Sequence, residues 1–81
     1  MEKINISYQD ICNRNGSETL FQWYKGRDVT FSNKDGVLHS WSCTSIYDNE
    51  QKHYIIPVGL VQENGTNKIN VVPANRITIK Q

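Results

Sequence analysis

Three groups of residues carry side chains capable of chemistry. Trp23, Tyr24, Lys25 and Arg27 fall within five positions, so aromatic faces and cationic heads occur side by side. Such a group, with Tyr54 and Trp41 expected on neighbouring strands, can stack on a base while Lys25 and Arg27 hold its phosphate, or anchor a protein contact through an aromatic ring and an arginine. The competing use of Trp23 and Tyr24 is to pack beneath the open end of a small fold. His39 and Cys43 form the second group, an imidazole near a thiol that it would activate as a nucleophile. Four positions along a strand separate side chains by roughly 13 Å at about 3.3 Å per residue, too far for proton transfer. His53 could approach across a hairpin, but no third orienting group or oxyanion donor accompanies it. The third group is Cys12, His39, Cys43 and His53, the right total of ligands for zinc. It contains no close C-x-x-C or H-x-x-x-H pair. The five glycines, at 16, 26, 36, 59 and 65, are dispersed as punctuation and form no phosphate loop. No catalytic residue, metal or cofactor is therefore expected, and the protein is expected not to be an enzyme.

Positioning these residues is the task of a short chain. Eighty-one residues make a single domain, 1–81. Ile and Val supply 15 residues against three Leu and one Ala, and a core of β-branched side chains favours strands over helices. A net charge of +1 removes the self-repulsion of disordered chains. Nine basic and eight acidic residues are interspersed, without the basic stripe that neutralises duplex phosphates, so duplex DNA is not an expected partner. No run approaches the roughly 20 apolar residues of a membrane span, and the opening Met1-Glu2-Lys3-Ile4-Asn5 has no apolar core. The expectation is a cytosolic protein without membrane contact, with Cys12 and Cys43 as free thiols. Nine Asn, nine Ile and six Lys against three Arg and one Ala match coding by an AT-rich genome, as in a low-GC bacterium or its phages and mobile elements.

Along the chain, Ile4, Ile6 and Tyr8 alternate with polar residues and suggest an opening strand. Ser7 and Asp10 have capping-box spacing, which predicts a short helix over 8–15 ended by Gly16. Residues 17–24 fit neither period and are left open between strand and helix. Val29 and Phe31 share one face of a strand ending at Ser32, and Asn33-Lys34-Asp35-Gly36 reads as a hairpin turn. A long strand is predicted over 37–47, with Val37, His39, Trp41, Cys43 and Tyr47 as its core face. Residues 48–52 form a polar loop. Tyr54, Ile56, Val58 and Leu60 then align on one face of a strand that Pro57 makes an edge, or bulged, at that point. Asn64-Gly65 is the strongest hairpin signal, leading to Ile69 and Val71, and Ile77 and Ile79 close the sheet. The prediction is an all-β or mainly β fold, a small five-stranded barrel with 1–25 as an N-terminal helix or extension packed on it.

Val72-Pro73-Ala74-Asn75-Arg76-Ile77 resembles the end of a Src-homology-three domain, where a strand meets a Pro-x-Asn-Tyr-Val turn of one 3₁₀ winding before the last strand. The order of strand, hairpin, long strand, hairpin and strand over 26–79 is similar as well. The resemblance implies an SH3-like barrel. It also implies that Pro73, Asn75 and Arg76 occupy positions that in the family line a groove for proline-rich peptides. Arg76 replaces the aromatic of that motif, and the Ala-Leu-Tyr-Asp-Tyr signature is missing.

The function expected is stoichiometric binding of a partner, foremost a protein, by a small accessory protein of a phage or mobile element. Binding of a small nucleotide or single-stranded nucleic acid is the alternative, and a structural role in an assembly the second. The binding residues expected are Trp23, Tyr24, Lys25, Arg27 and Arg76.

Overall fold

The computed structural model describes residues 3–11, 20–27, 29–48 and 50–80. Five antiparallel strands form one sheet: β1 (Ile4–Ile11), β2 (Phe31–Tyr47), β3 (His53–Glu63), β4 (Ile69–Pro73) and β5 (Ile77–Ile79). Among the described residues, one short helix, α1 (Leu20–Lys25), lies between β1 and β2, and a single 3₁₀ turn (Ala74–Arg76) joins β4 to β5. The spatial order is β4-β3-β2-β1-β5. The mainly β fold is as the excess of Ile and Val predicts. β4 and β5 are the two edges of the sheet, so the barrel is not closed.

Four sequence expectations need correction. Tyr8 to Ile11 continue β1 as strand, while the remainder of the predicted helix lies outside the described residues. The segment 1–25 is also more than an extension, because β1 is hydrogen-bonded inside the sheet between β2 and β5. Its inward side chains Ile6 and Tyr8 are among the most deeply buried in the protein.

Asn33-Lys34-Asp35-Gly36 is not a turn. β2 runs straight through it, pairing Asn33 with Gln9, Lys34 with Tyr8, Asp35 with Ser7 and Gly36 with Ile6. The turn-like residues serve packing instead. A Cβ on Gly36 would stand 2.5 Å from the Gln62 carbonyl oxygen, so glycine lets β3 cross closely. Lys34 reaches Asp10 and Glu63 at 3.0 Å each, tying β1, β2 and β3 together. The five predicted strands thus become five by another route: two of them merge into β2, and β1 joins the sheet.

The face of β2 read as core is also the wrong one. Leu38 and Ile46 are buried, whereas His39, Cys43, Trp41 and Tyr47 are exposed, the last two at 51% and 59%. A bulge between Leu38 and Ser40 shifts the register against β3. Beyond it, the position of α1 decides which face is covered, since Leu20, Phe21 and Tyr24 pack on Ile46, Ile56 and Val58.

The main core lies within the curved sheet, where Ile6, Tyr8, Ile11, Trp23, Leu38, Val61 and Val72 meet. Residues 17–24 resolve in part into α1, whose Leu20, Trp23 and Tyr24 follow i, i+3, i+4 spacing toward the sheet. Six residues are too few for an isolated helix, so tertiary contacts hold it. Gly26, at φ +74°, ends it, and the Gly26 N–H donates to the Gln22 carbonyl at 2.7 Å. Asn64-Gly65 forms the predicted turn between β3 and β4, with Gly65 at positive φ.

Candidate binding surface

β1 pairs with β2 only as far as Leu38, and β4 pairs with β3 only from Val58 to Gln62. Past these points β2 and β3 continue alone as a two-stranded arm. The molecule is accordingly elongated, at 42 × 24 × 22 Å. Pro57 lies where β4 has ended, so β3 is locally an edge and tolerates a residue without an N–H, as the sequence implied.

An isolated two-stranded ribbon is marginal in water, and α1 supports this one from a single side. Phe21 stacks on Tyr54 with ring centroids 6.2 Å apart. Asp48 fixes the tip: its Oδ1 accepts from the Glu50 N–H at 2.9 Å and the Lys52 N–H at 2.8 Å, and its Oδ2 from the Tyr54 hydroxyl at 3.2 Å. The Lys52 N–H foremost, with the other two donors, holds the Asp48 carboxyl below the usual carboxylate range.

The other side of the arm is bare. Directly opposed residues of an antiparallel pair share a face, and the register is unbroken here: Trp41 opposes Gly59, Cys43 opposes Pro57, Ser45 opposes Ile55, and Tyr47 opposes His53. Trp41, Cys43, Ser45, Tyr47, His53, Ile55 and Pro57 are all exposed, Ile55 at 68%. Tyr47 and His53 hold each other at the outer end, ring centroids 5.3 Å apart. None of these side chains is Asp, Glu, Lys or Arg. The result is a strip about 20 Å long at ~3.3 Å per residue, apolar and aromatic, on a rigidly capped arm.

The residues singled out in the sequence do come together, but largely to build the fold. Trp23 is 7% exposed, and its Nε1–H donates to the Gln9 carbonyl at 2.7 Å. Arg76 donates from Nε to the Trp23 carbonyl at 3.0 Å, from Nη1 to Gln9 Oε1 at 3.1 Å and from Nη2 to the Tyr24 carbonyl at 3.2 Å. Its guanidinium also lies 4.6 Å above the Phe31 ring centroid. Asn75 adds a donor to the Tyr24 carbonyl at 3.1 Å. These bonds satisfy helix carbonyls that would otherwise lack donors. Asn75 and Arg76 are therefore turned onto α1, and Pro73 is buried. Tyr24 is half-buried against the arm. Lys25 is exposed, its Nζ 6.0 Å from the Phe21 ring and 5.8 Å from the Tyr24 ring, and Arg27 is exposed beyond it.

Of the thiols, Cys43 is free and exposed on the bare strip, and Cys12 lies outside the described residues. His39 Nε2 is bonded to Gln62 Oε1 at 2.8 Å. Among the described residues no three of His, Cys, Asp and Glu are grouped to hold a metal, and no helix is long and apolar enough to cross a membrane.

Sequence reasoning missed the strip because alternation assigns its β2 residues Trp41, Cys43 and Tyr47 to the core. A signal was present. Ile55 and Pro57 stand opposite in phase to Ile56 and Val58, so both faces of the ribbon carry apolar groups. A helix of six residues covers one of them. No family model, curated protein or solved structure matches this chain. The chemistry of the surface itself carries the functional reading.

Proposed function

We propose that this protein is a small non-enzymatic binding module that acts stoichiometrically on a partner protein through the bare face of its β2–β3 arm. The observation that carries this reading is the contiguous strip of exposed Trp41, Tyr47, Ile55 and Pro57 without a formal charge. The largest apolar patch of a small protein's surface is often functional, and Trp and Tyr are among the residues that most often anchor protein contacts. The partner face is apolar, because an unpaired charge set against this strip would lose water without compensation. An AT-rich coding bias fits an accessory protein of a phage or mobile element that binds a host protein in the bacterial cytosol.

The nucleic-acid reading is the weaker one. It draws on Trp23 and Tyr24, with Trp41 and Tyr54 on neighbouring strands, as stacking rings beside Lys25 and Arg27; Trp23 is in the core, and Trp41 is on the face of the arm away from α1 and its cations.

The test compares capture of proteins from host lysate by the wild type, by Ile55→Asp and by Arg27→Glu. The reading requires a protein retained in a fixed ratio by the wild type and by Arg27→Glu and lost by Ile55→Asp, with all three equally folded. Retention that depends on Arg27 and not on Ile55 would overturn it.

A further inference from the structure

The bare face has a second property, which follows from where the body of the sheet stands. Trp41 lies beside Gly59, whose absent Cβ would meet Leu38 and Ile77 as well as the Trp41 ring. The strip therefore continues the side of the sheet on which Leu38 and Val61 join the main core, and the five-stranded body stands at one end of it. Two such faces meet without collision when antiparallel, the tip of each arm lying toward the body of the other. A parallel approach would drive the two bodies together.

We propose that, with no other partner bound, this face is covered by a second copy of the same chain, in a weak reversible antiparallel dimer that a tighter partner displaces. This rests on the binding role of the arm face proposed above. Charge favours that occupant. The strip presents no like charges to its own image, and a net charge of +1 leaves little repulsion between copies. At the arm tip Asp48 and Glu50 outnumber Lys52 by one charge, and the antiparallel arrangement keeps the two tips at opposite ends of the contact. The two-fold arrangement also brings the aromatic ends together, Tyr47 of one copy toward Trp41 of the other.

Area sets the strength. Trp41 and Tyr47, each more than half exposed, offer on the order of 100 Å² apiece. With Ile55 and the smaller neighbours the face supplies roughly 500–600 Å², below the ~800 Å² per partner of a standard interface. Such a dimer has a dissociation constant of about 10 μM to 1 mM, weak enough to exchange for a better-fitting partner.

Sedimentation equilibrium from about 5 μM to 1 mM tests this on the full chain. The apparent mass should rise from the 9.4 kDa of one chain toward twice that value across the range. Ile55→Asp places a carboxylate on each side of the two-fold contact and should raise the dissociation constant at least about tenfold. Val71→Lys, on the exposed flank of edge strand β4, should leave it unchanged. A mass of one chain throughout, or self-association abolished by Val71→Lys and not by Ile55→Asp, overturns the dimer. Neither result touches the lysate comparison: a monomer that still needs Ile55 to retain a partner keeps the binding role and loses only the self-association.

Discussion

Arg76 donates to the carbonyls of Trp23 and Tyr24, so truncating it leaves the end of α1 without two of its donors. Arg76→Ala should cost about 2–3 kcal/mol of folding stability, as charge-assisted hydrogen bonds do. Arg76→Lys should recover only part, because an ammonium cannot reproduce the planar fork. Trp23→Ala should cost about 3–5 kcal/mol. Ile55→Asp, at a 68% exposed position, should stay within ~0.5 kcal/mol. Denaturant melts of these variants separate residues that build the fold from residues that face a partner.

Tyr8 is buried, yet its hydroxyl makes no hydrogen bond, although Asn70 is near enough to influence it. Tyr8→Phe should be neutral or stabilising by up to ~1 kcal/mol. Burial foremost, then the negative charges of Glu63 and Asp10, pushes the phenol above its ordinary 10.0. Glu63 and Asp10 hold the Lys34 ammonium above its ordinary 10.5. Both groups bind protons more tightly when folded. The stability they supply is therefore complete below about pH 10 and is lost as the pH rises through the raised values. Melts between pH 8 and pH 11 should show a steeper alkaline loss for the wild type than for Tyr8→Phe, and an equal slope would argue against a phenol whose ionisation burial opposes.

Among the elements, β2 shows most clearly what local sequence can and cannot decide. The Asn64-Gly65 turn and the strands on either side of it were legible, because hairpin chemistry there is confined to a few consecutive residues. Asn33 to Gly36 carry the same chemistry and lie in a strand, since Ile6 to Gln9 of β1, and at Gly36 also Glu63 of β3, supply their pairing from far along the chain. Non-local pairing overrode propensity there. Gly36→Ala distinguishes the two roles: a turn glycine without positive φ would accept it, whereas here the added Cβ meets backbone and should cost at least ~2 kcal/mol. Thermal denaturation of this variant reads the difference directly. The core face of the arm was not legible either, because α1 decides it, and residues 17–24 gave no period by which to place that helix.

For the molecule as a whole, composition sufficed for a mainly β fold, while the location of its bare apolar face depended on which residues the other elements left uncovered. Trp23 and Trp41 illustrate this. Trp23 lies in the main core, while Trp41, flanked by Ser40 and Ser42, stands 51% exposed at the root of the arm. The central claim is that the bare face of the arm, and not the helix side with Lys25 and Arg27, meets other proteins. A photoreactive amino acid placed at position 55 and, separately, at position 27, followed by irradiation in cells and mass spectrometry, tests it most directly. Covalent adducts of one defined protein, or of a second copy of the chain, should form from position 55 and not from position 27. Adducts from position 27 with none from position 55 would contradict the account.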